Sequence, residues 1–131
     1  MADLDHLNHL VMLCETPEEW PILDKLIAEV AKAVLPAKDL GRVDELLFCK
    51  AYLDAAQAIL PAGAVWRAYT DRTVSVYGAS PYNAAAQECF DGHSDHRPLA
   101  LCAAYLRLLI APLAKARADA ARRELTKAGD A

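Results

Sequence analysis

Val65-Trp66-Arg67-Ala68-Tyr69-Thr70 and Thr73-Val74-Ser75-Val76-Tyr77, separated by Asp71-Arg72, form the stretch on which the fold turns. It is the one part of the chain rich in β-branched and aromatic residues, and a polar pair interrupts it where a reversal would fall. The reading is a β-hairpin. Two strands alone are marginal in water, so the pair must lie against helices, recruit a third strand or pair with another chain.

Working outward towards the N-terminus, the pattern is helical. Asp39 is placed to cap a helix whose apolar residues (Leu40, Val43, Leu46, Leu47, Cys49, Leu53, Ala56, Leu60) cover more than one narrow stripe, and Pro61-Ala62-Gly63 ends it. Before it, Leu23, Leu26, Ile27, Val30 and Val34 recur at steps of three and four, which predicts an amphipathic helix stopped by Pro36. Leu4, Leu7, Leu10, Val11 and Cys14 predict a shorter first helix, and Thr16-Pro17-Glu18-Glu19 reads as the cap that restarts the chain.

Working outward towards the C-terminus, the segment from Gly78 to Arg97 admits two readings. Ala84-Ala85-Ala86-Gln87-Glu88 has helix propensity, and a third edge strand competes with it; Asp91-Gly92-His93-Ser94-Asp95-His96 has loop composition. Pro98 then opens a long helix in which Leu99, Leu101, Cys102, Tyr105, Leu106, Leu109, Ile110 and Leu113 leave little polar surface, with a kink expected at Pro112 and a charged extension beyond Lys115. Leu46 to Leu53 echoes Leu99 to Leu106 in its Leu, Cys, Ala and Tyr positions, which suggests two similar core helices. The expected fold is α+β: one helix-rich domain over 1–131, with residues 1–38 a helical extension, 39–114 a helix-hairpin-helix core and 115–131 a charged helical tail. Its small antiparallel sheet, the hairpin with or without a third strand, is expected to be packed between helices.

At 131 residues and 55% hydrophobic, the chain has the size and apolar content of one core. The N-terminus is acidic where a secretory signal would be basic, and Arg107 and Pro112 interrupt the longest apolar run, so the expectation is a cytoplasmic protein with no membrane span. Four scattered cysteines point to reduced thiols rather than a disulfide framework. A net charge of −4 has the wrong sign for general nucleic-acid binding. Its distribution is uneven: six acids precede Lys25, whereas Lys115, Arg117, Arg122, Arg123 and Lys127 crowd the last helix, so the two ends are suited to attract one another within or between chains.

Three pieces of the sequence carry a likeness to a known family: Ala58-Ile59-Leu60-Pro61 followed closely by Trp66-Arg67-Ala68, the hairpin with its Asp71-Arg72 turn, and Pro98-Leu99-Ala100-Leu101-Cys102-Ala103-Ala104-Tyr105-Leu106 opening the last core helix. Over about residues 53–113 the chain resembles the phage ABA-sandwich family, small α+β proteins of phages and prophages. The resemblance implies a helix before and a helix after a small antiparallel sheet, and it brings no catalytic residues with it. The helices before Asp39 and the segment from Pro81 to Arg97 depart from the family pattern.

Candidate chemistry is sparse. Cys89-x3-His93-x2-His96, with Cys102 further on, is the densest set of metal-ligating residue types, although its spacing is not that of a finger or ribbon. It supports an alternative reading as a zinc-binding structural or regulatory protein. His6 and His9 share a helix face opposite the apolar stripe and read as surface residues. Cys89 with His93, or Ser94 with His96, lacks a nucleophile elbow, and no phosphate loop or His-Glu-x-x-His helix exists, so no enzyme and no cofactor is expected. The preferred reading is an interaction protein that binds a protein partner and is suited to self-association. Trp66, Arg67, Tyr69, Arg72, Tyr77 and Tyr82 are its candidate contact residues, because Trp and Tyr bury a large apolar body while keeping a polar handle. A nucleic-acid accessory using the basic last helix is the third reading.

Overall fold

A computed structural model describes residues 3–16, 23–83 and 85–130. The elements are α1 (Leu4–Glu15), α2 (Leu23–Val34), a 3-10 turn (Ala37–Asp39), α3 (Leu40–Phe48), α4 (Tyr52–Ile59), β1 (Val65–Ala68), β2 (Thr73–Ala79), β3 (Gln87–His93) and α5 (Arg97–Asp130). The strands form one antiparallel sheet in the order β1-β2-β3. The α+β class and the hairpin are as the residue pattern predicts, and of the two readings of the 78–97 segment the strand is the one realised. Asp91, Gly92 and His93, expected in a loop, belong to that strand.

Helix α5 organises the molecule. Leu99 to Ala104 and Leu106 are all buried on it; α5 packs against β2 and β3 on one side and against α1, α2 and α4 on the other. Full burial of each leucine contributes about 2 kcal/mol. The element with neighbours on both sides is thus α5, and the sheet is an outer layer with one open face. Two glycines permit this close stacking. A Cβ on Gly92 would lie 2.0 Å from the Ala100 carbonyl oxygen and 2.6 Å from the Ala104 nitrogen, and one on Gly78 would lie 2.4 Å from Leu108 Cδ1. Glycine inside a strand commonly marks such an approach.

The first two helices are part of the same core. Leu7, Leu10, Val11 and Cys14 of α1 join Ile27, Val30 and Ala31 of α2 in the buried cluster, so residues 1–38 are built into the domain rather than appended to it. Asp3 caps α1 by accepting the His6 N–H at 2.9 Å. The capping box read at Thr16-Pro17-Glu18-Glu19 lies largely outside the described residues.

The helix predicted as continuous from Asp39 to Leu60 is broken. Asp39 precedes α3 but makes no side-chain capping bond, and the preceding turn is 3-10. At the other end, Lys50 has φ 58°, its N–H donates to the Leu47 carbonyl at 3.0 Å, and the Ala51 N–H donates to the Leu46 carbonyl at 2.9 Å. That pair of bonds is a Schellman ending, with lysine in the left-handed position usually held by glycine. The break leaves Phe48 89% exposed, and Cys49 is exposed too. The echo between Leu46–Leu53 and Leu99–Leu106 therefore does not extend to structure, since one copy straddles a helix break and the other is a buried helix. Helix α5 runs through Pro112 to Asp130, and beyond Ala111 its side chains lie largely at the surface.

Candidate functional site

Strand alternation divides the sheet into two chemically distinct faces. Val74, Val76, Phe90 and Gly92 turn towards α5 and are buried. The opposite face is ruled by cross-strand register: Val65 opposes Tyr77, which opposes Cys89; Arg67 opposes Ser75, which opposes Asp91; and Thr73 opposes His93. Tyr69 joins the last row through its N–H, which donates to the Thr73 carbonyl at 2.9 Å.

Hydrogen bonds order this face from within. Ser75 Oγ donates to Asp91 Oδ1 at 2.5 Å, and Cys89 Sγ donates to the same oxygen at 3.2 Å. The Ser75 hydroxyl is the leading cause that holds the Asp91 carboxyl below its usual range. Thr73 Oγ1 and His93 Nδ1 lie 3.1 Å apart. Tyr77 is raised above its ordinary value, first through hydrogen bonding with Tyr69. Val65 at 61% and Tyr69 at 39% exposure place apolar surface at the β1 side.

The two sheet edges differ. Ser94 N–H donates to the Arg72 carbonyl, which sets the phase of the β2–β3 ladder so that the backbone groups of Cys89, Asp91 and His93 point outward. Two of these are taken: the His93 N–H donates to Glu15 Oε2 at 2.9 Å, and the Asp91 carbonyl accepts from the Arg107 guanidinium at 2.6 Å. Glu15 and Arg107 are themselves joined by a two-pronged ion pair. Burial pushes the Glu15 carboxyl up, but the bonds from Arg107 and His93 outweigh it, and the net shift is downward. On β1 the Tyr69–Thr73 bond sets the opposite edge so that Trp66 and Ala68 point their N–H and C=O groups outward. Among the described residues no element other than β2 packs closely on β1.

Of the six residues expected at a contact surface, Arg67, Tyr69 and Tyr77 share the open face. Trp66 lies on the helix side of the sheet, packed against the core. Arg72 sits in the hairpin turn at φ 76° and pairs with Asp95 at 2.7 Å. Tyr82 is 76% exposed in the β2–β3 connection, where Lys115 Nζ of α5 stands 5.9 Å from its ring centre. Asp91 and Thr73 complete the open face, with Ser75 on the same side but buried beneath its neighbours; strict alternation in the hairpin could have signalled the serine and threonine, whereas Asp91 required knowing that β3 is a strand.

Cys89 and His93 lie on the open face with Asp91 between them, and His96 lies beyond the strand end. Among the described residues no three His, Cys, Asp or Glu side chains converge as a metal centre would require. Cys102 is buried beside Cys14, and burial pushes the Cys14 thiol up to about 12 and Cys102 well up, so both are unreactive core residues. All four cysteines are free, and Cys49 and Cys89 are the exposed pair. Four cations in the C-terminal half of α5 are engaged by carboxylates: Arg117 with Asp5 at 3.2 Å, Lys115 and Arg122 with Asp119, and Lys127 with Glu124. The acidic start and basic end thus do meet within one chain. Helix α5 also has the length and, with a mean hydropathy of 1.6 in its most apolar window, the composition of a membrane span; 39% of that window is buried, in the turns from Leu99 to Leu106. No protein-family model, curated protein or solved structure matches the chain.

Proposed function

We propose that this chain is a non-enzymatic accessory protein of the phage or prophage type, acting in the cytoplasm by docking to another protein. The docking surface is the open sheet face bearing Val65, Arg67, Tyr69 and Tyr77, continued over the bare edge of β1. The observation that carries the reading is the unequal treatment of the two edges, with β3 fastened at Asp91 and His93 by Arg107 and Glu15, and the outward donors and acceptors of β1 without a partner among the described residues, beside exposed apolar side chains. An unprotected edge is a template for strand addition, and natural proteins that do not use one cover it.

A photo-reactive phenylalanine analogue in place of Val65 tests this, with the same analogue in place of Met12 on α1, which is 54% exposed, as the control. In cells, position 65 is expected to give a discrete adduct, to a second protein or to another copy, that position 12 does not give and that Ala68→Pro abolishes. Equal diffuse labelling from both positions would reject the reading.

A further inference from the structure

A cavity of about 340 Å³ opens where the hairpin turn meets the start of α5, at the lower end of the size range of small-molecule sites. Arg72, Arg97, Thr70, Thr73, Ser94 and Asp95 line it. We propose that it binds a terminal phosphate group, free or esterified.

The walls are held rigid around that chemistry. The Ser94 N–H donates to the Arg72 carbonyl at 3.1 Å, clamping the β3–α5 connection to the hairpin turn, and the Thr73 N–H donates to Asp71 Oδ1 at 3.3 Å within the turn. Arg72 occupies a backbone conformation at φ 76° that glycine or asparagine would adopt with less strain, and it lines the cavity. Ser94 is only 2% exposed; its Oγ accepts the His96 N–H at 3.2 Å, and its own proton has no acceptor among the described residues. A buried hydroxyl proton facing a polar cavity is a donor suited to an anion oxygen. Arg97 forms no ion pair among the described residues, while Asp95 Oδ1 occupies Arg72 Nε at 2.7 Å. The lining thus holds two guanidinium groups against one carboxylate, and Asp95 already fills the place that one ligand oxygen would take on Arg72. A phosphate offers enough acceptor oxygens to serve both arginines and the serine that line the cavity, whereas the Asp95 carboxylate bonds to Arg72 alone of the three among the described residues.

The cavity shares Tyr69 and Thr73 with the open sheet face, but the groups proposed to hold phosphate, Arg72, Arg97 and Ser94, are not among the docking residues, so either reading stands or falls alone. Calorimetric titration of inorganic phosphate and of phenyl phosphate into the full chain, at fixed ionic strength and pH 7.5, tests it. Saturable binding with Kd near or below about 1 mM is expected for at least one of them. Tighter phosphate than phenyl phosphate identifies the free ion, and the reverse an ester. Arg72→Gln and Arg97→Gln are each expected to weaken binding at least about tenfold, and Asp95→Asn to tighten it about threefold by removing the internal competitor. Absence of saturable binding by either probe up to about 10 mM, the range of affinities too weak to be specific, or binding that both arginine variants leave unchanged, overturns the proposal. Should Arg72→Gln fail to fold by circular dichroism, Arg97→Gln decides, since Arg97 takes part in none of the clamping bonds.

Discussion

Strands β1 and β3 flank the same central strand and are secured in opposite ways. β1 has the composition of a strand, Val-Trp-Arg-Ala, yet among the described residues β2 is the one element paired along it, and only Trp66 and Ala68 reach the core. β3, Gln-Glu-Cys-Phe-Asp-Gly-His, has poor strand propensity, yet it is paired over its whole length with β2, pressed on α5 at Gly92 and fastened at its free edge by Glu15 and Arg107. The difference teaches that anchorage follows tertiary contact rather than intrinsic preference. The residues least inclined to extend are those with the most partners.

The contrast breaks most sharply at Gly92. Gly92→Ala drives a methyl into the α5 backbone, which cannot withdraw as a side-chain tip would, and is expected to destabilise by about 3 kcal/mol or more in urea unfolding. Next in size is a test of ladder phase on β1. Arg67→Pro removes a donor directed at β2 and is expected to cost about 3 kcal/mol. Removing the clamp on β3 by Glu15→Gln should cost about 2 kcal/mol, because the Arg107 guanidinium and the His93 N–H lose a charged acceptor.

That clamp also has a pH signature. The folded-state value of Glu15 is lowered from its ordinary 4.5, so its contribution is complete above about 4.5 and is lost as the pH falls through the lower folded value. Asp91, lowered chiefly by Ser75, acts in the same sense below its ordinary 3.8. Thermal melts between about pH 6 and 3 should therefore fall more steeply for the wild type than for Glu15→Gln, the sign expected when the unfolded chain binds more protons. The smallest effect sharpens the comparison from the other side. Ala68→Pro sits where the N–H points away from β2, and is expected to change stability by less than about 1 kcal/mol while closing the edge to strand addition.

Much of the helical core was legible because burial imposes a period. All five stripe residues of α1 and the central positions of α2 are buried, and the proline before residue 37 stops its helix where expected. The break after Phe48 was not legible, since the apolar pattern runs on from Leu47 to Leu53 and the left-handed residue is lysine, which gives none of the warning a glycine would. β3 was open to two readings for the reason given above: its pairing and its glycine make sense only once β2 and α5 lie beside it. At the contact surface, Arg67, Tyr69 and Tyr77 share one face because odd-numbered positions of a hairpin must do so. Trp66 falls on the other face by the same rule, and aromatic content alone had grouped it with them.

Helix α5 has a second consequence. Its first turns are fixed between two layers, while the stretch from Lys115 to Asp130 continues for about 24 Å at 1.5 Å per residue. Alanines and the Lys115–Asp119, Arg122–Asp119 and Lys127–Glu124 pairs stiffen that stretch along its own length. It is an arm rooted in the protein interior, so its direction is set by the packed turns from Leu99 to Leu106.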